Sequence, residues 1–90
     1  MAWKVEFSSL AQKNLEALGT PLAQRVLAFL HKRLAPLDNP RSLGEPLKGH
    51  RLGTLWKWRV DKLHLIASIE EDKLLVLLVH MGHRRKVYRR

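Results

Sequence analysis

Hydrophobic spacing changes period several times along the chain, and each change marks an element. Trp3-Lys4-Val5-Glu6-Phe7 alternates apolar and charged residues, which predicts a half-buried strand. Ser8-Ser9 stops it. Ser9 with Gln12 matches a capping box, and Leu10, Ala11, Leu15 and Leu18 keep helical spacing until Gly19. Thr20-Pro21 opens a second helix, Thr20 as N-cap and Pro21 at the first helical position. Its stripe is Leu22, Val26, Phe29/Leu30 and Leu34, and Pro36 ends it. So short a connection predicts an antiparallel helical hairpin.

Residues 36–53 hold three of the four prolines and three of the five glycines, so they read as a long irregular connection with a short turn around Leu43. Within it Arg41 and Glu45 read as solvated linker residues. The connection ends in a basic lead-in, Leu47-Lys48-Gly49-His50-Arg51-Leu52-Gly53.

Next, Leu55-Trp56-Lys57-Trp58-Arg59-Val60 and Leu63-His64-Leu65-Ile66-Ala67-Ser68-Ile69 flank a polar pair, Asp61-Lys62. Aromatic and β-branched runs around such a pair predict a β-hairpin. With Asp61-Lys62 as a two-residue loop, Val60 pairs with Leu63, Arg59 with His64 and Lys57 with Ile66. Directly opposite residues share a side. One face then carries Lys57, Arg59 and His64, and the other carries Trp56, Trp58 and Val60 as core. Neither loop residue is glycine, unlike the favoured type I′ pair. Glu70-Glu71-Asp72-Lys73 reads as an acidic turn. Leu74 to Val79 is apolar without alternation, the mark of a central strand covered on both faces. A tail from Met81 to Arg90 follows, and Gly82 permits a bend there.

These elements predict an α+β fold over residues 1–90 as a single domain: an N-terminal strand, an antiparallel two-helix hairpin, then three antiparallel strands, with the helices on one sheet face. Lys57, Arg59 and His64 fall on the other.

Charge narrows the partners. The formal net charge is +9, and residues 48–90 hold eleven Lys/Arg against four acids, whereas residues 1–47 hold six against four. Basic charge gathered in one half suits a polyanion or an acidic protein. An anionic membrane fits less well, because no helix is both strongly basic and strongly amphipathic. There are no cysteines, which removes disulfides, thiolate catalysis and cysteine zinc sites together and fits a cytoplasmic protein. The N-terminus lacks the apolar core of a signal peptide.

No close pair of carboxylates and no Gly-rich phosphate loop is evident. His80 and His83 are spaced to lie on opposite faces of a strand, a poor start for a metal site. The remaining chemistry is metal-free work on a phosphodiester, without a cofactor. RNA carries its own nucleophile, the 2′-hydroxyl. A protein need only accept its proton, stabilise the phosphorane and protonate the leaving oxygen.

Leu55-Trp56-Lys57-Trp58-Arg59-Val60, then Leu65-Ile66 and Ile69, the apolar strand, and Gly82-His83-Arg84-Arg85-Lys86-Val87-Tyr88 closely resemble the RelE branch of the RelE/ParE toxin superfamily. The resemblance spans nearly the whole chain. It implies a toxin of a type II toxin–antitoxin pair that cleaves mRNA in the ribosomal A site without a metal. The implied partners are an adjacent RelB-like antitoxin, the ribosome and mRNA, and operator DNA only through the antitoxin, with no membrane. It implies Lys57 as candidate general base, Arg59 and Arg84 as phosphate and transition-state binders, and Tyr88 as stacker or proton donor. Lys48, Arg51, Lys62, His83, Arg85 and Lys86 are candidate RNA or ribosome contacts. His64 stands where this branch usually carries an active-site arginine. Histidine, with an ordinary pKa of about 6.5, does not hold phosphate as an always-charged, bidentate arginine does. The substitution leaves a weaker toxin, a catalytic His64 or a non-toxic variant open. A ParE-like gyrase inhibitor and a catalytically silent member acting only in a repressor complex are the alternatives.

Overall fold

The structure is a computed structural model describing residues 2–47 and 55–83. Five strands form one sheet in the order β1-β5-β4-β3-β2: β1 (Lys4–Phe7), β2 (Glu45–Pro46), β3 (Leu55–Val60), β4 (Leu63–Glu70) and β5 (Leu75–His83). β1 runs parallel to β5, and every other pairing is antiparallel. Two helices, α1 (Ser9–Ala17) and α2 (Thr20–Ala28), lie between β1 and β2 in sequence. α2 continues as a π-helical stretch over Phe29–Leu34. The α+β fold with helices on one sheet face is therefore as expected.

The helix starts differ from the sequence reading by one residue each. Ser8, not Ser9, caps α1: its Oγ accepts from the Ala11 N–H at 3.1 Å, so Ser9 and Gln12 form no capping box. Gly19, not Thr20, caps α2, at φ 87°, a left-handed value that glycine adopts without a Cβ penalty. Leu10, assigned to the apolar stripe of α1, is 52% exposed, and the fully buried contact is the small Ala11.

The core lies between the helices and the sheet. Val26, Leu30 and Leu34 from the second helix meet Trp58 of β3, Leu63, Leu65 and Ala67 of β4, and Val76, Leu78 and Met81 of β5. Each fully buried aliphatic side chain contributes roughly 1.5–3 kcal/mol of transfer free energy.

β5 is central, between β1 and β4, as its apolar run predicted. It begins one residue later than expected, since Leu74 sits at φ 50°, and it runs on to His83 where a tail and bend had been predicted. The apolar run ends in a β-bulge. Ala67 faces Leu78 but Ile66 faces His80, so Val79 is an extra residue that reverses the alternation. Leu78 and Met81 both reach the core as a result, while His80 turns to the open side. Side chains at α1 satisfy backbone groups around the bulge. The Ser8 hydroxyl donates to the Val79 carbonyl at 3.2 Å, and the Met81 N–H donates to Asn14 Oδ1 at 3.0 Å.

The 36–47 region is more ordered than a solvated linker. A 3₁₀ turn spans Pro40–Leu43, and β2 follows it. The Trp58 indole N–H donates to the Pro40 carbonyl at 3.0 Å in a buried bond. Gly44 is pressed against the same ring: a Cβ there would stand 2.9 Å from Trp58 Nε1 and 3.1 Å from the Lys57 carbonyl oxygen. Arg41 pairs with Glu71 at 3.0 Å and lies 5.8 Å from the centre of the Trp56 ring, so it is a structural residue rather than a free one.

Candidate functional site

The site face follows from strand register. The hairpin pairs Val60 with Leu63, Arg59 with His64 and Lys57 with Ile66, in the register that a two-residue Asp61-Lys62 loop predicts. Asp61 takes the left-handed conformation at φ 55°, which aspartate tolerates better than most residues, and this closes the turn without glycine. Trp58 points to the helices, so Lys57, Arg59 and His64 point away from them.

Two rows cross that open face. One runs Glu45, Lys57, Ile66 and His80 over β2, β3, β4 and β5; the other runs Arg59, His64 and Gly82 over β3, β4 and β5. Within the first row, Lys57 Nζ lies 3.6 Å from Glu45 Oε1, with the lysine side chain 22% and the glutamate 75% exposed. Lys57 thus faces a carboxylate across the β2–β3 pairing. In the second row His64 is buried at 5% exposure. Its neighbour across the strand is Gly82, which adds no side chain above it.

Arg59 is exposed and borders two grooves. One holds Arg59, Asp61, Lys62 and His64, which brings the predicted Lys62 beside the site. The other lies between the second helix and the end of β3, and gathers Arg25, Lys32 and Arg33 around Arg59, Val60 and Asp61. In that groove Arg25 pairs with Asp61 at 2.7 Å. His83 departs from its predicted company. It is paired with Leu63 on the helix-facing side, in a groove with Leu22, Arg25, Asp61, Lys62 and Leu63, so it is not on the face of Lys57 and Arg59. His80 and His83 do lie on opposite sides of β5. Among the described residues no group of three or more His, Asp or Glu is placed to hold a metal ion. Lys48, Arg51, Arg84, Arg85, Lys86 and Tyr88 lie outside the described residues.

Three features of the site were not drawn from the sequence. Glu45 was set aside with the linker, although its place in Glu45-Pro46-Leu47, just before the basic lead-in, was visible. His80 was tied to His83 and not to the hairpin. Arg25 and Lys32 are seven residues apart, two helical turns, which was a readable signal that they share a side of the second helix.

A sheet with two helices on one face and basic groups on the other defines a small, cationic α+β domain. The sequence pattern of the family described as "ParE toxin of type II toxin-antitoxin system, parDE" matches residues 5–88, and the chain belongs to that family. It is a type II toxin of the RelE/ParE superfamily. Toxin RelG of Mycobacterium tuberculosis (strain ATCC 25618 / H37Rv) is 27% identical over 90 residues, covering 100% of both chains. The fold is similar to that in the toxin–antitoxin complex RelBE2 from M. tuberculosis, with TM-score 0.82, 23% identity and 93% of each chain covered. It is also similar to a mutant of E. coli toxin RelE in the free state, with TM-score 0.73, 20% identity and coverage of 96% of this chain and 87% of that one. Among the described residues no helix is long and apolar enough to cross a membrane.

Proposed function

We propose that this toxin is an endoribonuclease that cuts mRNA in the ribosomal A site and so stops translation. The observation that carries the reading is the placement of Lys57 and Arg59 side by side on the open sheet face, with His64 across from Arg59. Lys57 and Arg59 hold the scissile phosphate and stabilise the charge that grows on its oxygens. The chemistry needs no metal, because the 2′-hydroxyl of the RNA is the nucleophile. Arg84 adds a further phosphate contact, and Tyr88 stacks on a base or supplies a proton. Lys48, Arg51, Lys62, Arg85 and Lys86 add contacts to ribosomal or messenger RNA. His83, on the helix side, serves a different surface from the scissile phosphate.

The M. tuberculosis relative is a complex of toxin and antitoxin, and on that basis a RelB-like antitoxin, encoded nearby, binds and neutralises this chain. Operator DNA is reached only through that antitoxin. A ribosomal target places the protein in the cytoplasm.

The match to a pattern named for ParE favours a second reading, a gyrase inhibitor. Induced expression followed by mapping of RNA 5′ ends separates the two. Cuts within translated frames are the expected result. DNA breaks with intact mRNA would overturn the endoribonuclease reading in favour of gyrase, and the absence of either lesion would mark a catalytically silent member.

A further inference from the structure

We propose that the cleft between the second helix and the end of β3 is a subsite for the messenger strand, holding the backbone of nucleotides just past the one that is cut; the proposal rests on the endoribonuclease reading above. Ala28, Phe29, Lys32 and Arg33 stand three, four, seven and eight residues after Arg25, a spacing that keeps all five on one side of a helix. That side faces Arg59, Val60 and Asp61 across the cleft. The helix widens into π turns from Phe29 onward, and the widened segment carries Lys32 and Arg33.

The cleft has the make-up of a site for a single strand. Four cations converge on it, and its one carboxylate, Asp61, is engaged by Arg25 at 2.7 Å. Lys32, Arg33 and Arg59 are exposed, and no carboxylate among the described residues pairs with them. Between the cations lies an apolar floor of Ala28, half-buried Phe29 and Val60. On an unpaired strand the phosphates meet the charges while an unstacked base lies on such a floor. A ribosomal RNA helix keeps its bases stacked inside and offers that floor nothing.

Position selects which strand. Arg59 lines this cleft and also the groove that holds Lys62 and His64. β2 pairs with β3 only at Trp56 and Lys57, so among the described residues no strand covers the β3 edge at Arg59. A messenger whose scissile phosphate lies on Lys57 and Arg59 can therefore cross that edge into the cleft and stay among cations throughout. The codon before the cut is paired with the tRNA of the neighbouring ribosomal site, so the stretch free to make this crossing is the one after the cut. Asp61 opposes the binding, because a phosphate in the cleft competes with its carboxylate for Arg25.

The test uses the full chain on ribosomes programmed with two messages, one ending at the A-site codon and one continuing several nucleotides past it. Wild type is expected to cleave the longer message with a KM about tenfold lower, at a similar kcat. Lys32→Ala/Arg33→Ala should lose most of that preference. Asp61→Asn, which releases Arg25, should widen it about two- to threefold. Circular dichroism of each variant reports the fold. A double variant that keeps the wild-type preference, or a wild type that has none, overturns the messenger subsite and leaves the endoribonuclease reading standing. A double variant slowed equally on both messages assigns the cleft to ribosomal RNA and overturns the proposal in the same way. Wild-type protein that leaves both messages whole overturns the subsite and the endoribonuclease reading together.

Discussion

The two faces of β3 are made from alternate residues of the same six-residue strand, yet they are governed by different physics. On the helix side, Trp58 is 1% exposed, its ring fills the core and its N–H is bonded. On the open side, Lys57 lies 3.6 Å from Glu45 and Arg59 is exposed at the edge of two grooves. The first face is fixed by volume, where almost any change of shape is felt. The second is fixed by charge and register, and it tolerates substitution as long as the backbone beneath it does not move. A toxin needs both, because cations act on a phosphate only when a rigid strand holds their spacing. The tryptophans supply that rigidity and the basic residues use it.

The sharpest way to break this division is Trp58→Ala. It removes a fully buried ring and leaves the Pro40 carbonyl without its donor. The expected loss is about 3–5 kcal/mol, a large part of the roughly 5–15 kcal/mol that holds a small domain together. Chemical denaturation should show a much lower midpoint. A wild-type midpoint would mean that Trp58 is not a core residue.

On the opposite face the reverse pattern is expected. Lys57→Ala and Arg59→Ala should each lower cleavage of ribosome-bound mRNA at least about tenfold, roughly 1.4 kcal/mol in the transition state. Their melting temperatures should stay close to wild type, because Arg59 is exposed and the Lys57–Glu45 pair lies at the surface. Equal loss of activity and of stability would erase the distinction between the faces.

Gly44→Ala tests the place where the faces meet. The added methyl would stand 2.9 Å from Trp58 Nε1, so either the indole or β2 must shift. Overpacking of this kind costs about 1–3 kcal/mol. The added methyl would also stand 3.1 Å from the Lys57 carbonyl oxygen, so the backbone that carries the basic face must give, and stability and activity should fall together here, unlike at Lys57 alone. A variant with wild-type stability would show that the loop yields freely.

How much of this was legible in the sequence depended on the range of the interactions involved. The hairpin register was readable because the Asp61-Lys62 pair and the alternation around it are local. The opposite assignment of Lys57 and Trp58 followed from period two alone. β2 was not readable. It is two residues long, includes a proline, and exists because Trp58 and Gly44 bring it to the β3 edge across a dozen residues of chain. The bulge at Val79 was hidden for a related reason. It depends on Ser8 and Asn14, some seventy residues earlier, which bond the Val79 carbonyl and the Met81 N–H. Without it, His80 reads as a neighbour of His83 and not of the hairpin. The cap positions at Ser8 and Gly19 were each missed by a single residue. Adjacent serines carry the same cap signal, and threonine before proline is as good a cap on paper as glycine before threonine.

The smallest expected effect lies at the turn that sets the register of both faces. Asp61 carries two opposing contributions. Its left-handed φ of 55° costs a non-glycine residue something, less for aspartate than for most. Its carboxylate meets Arg25 at 2.7 Å, but the two side chains are 45% and 67% exposed, so solvent screening holds the pair to about 0–1 kcal/mol. Asp61→Asn keeps the tolerance for the left-handed conformation and removes the charge, so it should cost less than about 1 kcal/mol, with the loss shrinking in high salt. Asp61→Gly also removes the pair but relieves the backbone, at the expense of a more flexible unfolded chain. Its net change should therefore be close to that of Asp61→Asn, and neither should disturb the pairing of Arg59 with His64. Urea unfolding at low and high salt, with cross-strand amide contacts followed by NMR, checks both points. A loss well above 1 kcal/mol in Asp61→Asn that persists in high salt would mean that the turn, and with it the register of the basic face, depends on Asp61 through more than a screened ion pair.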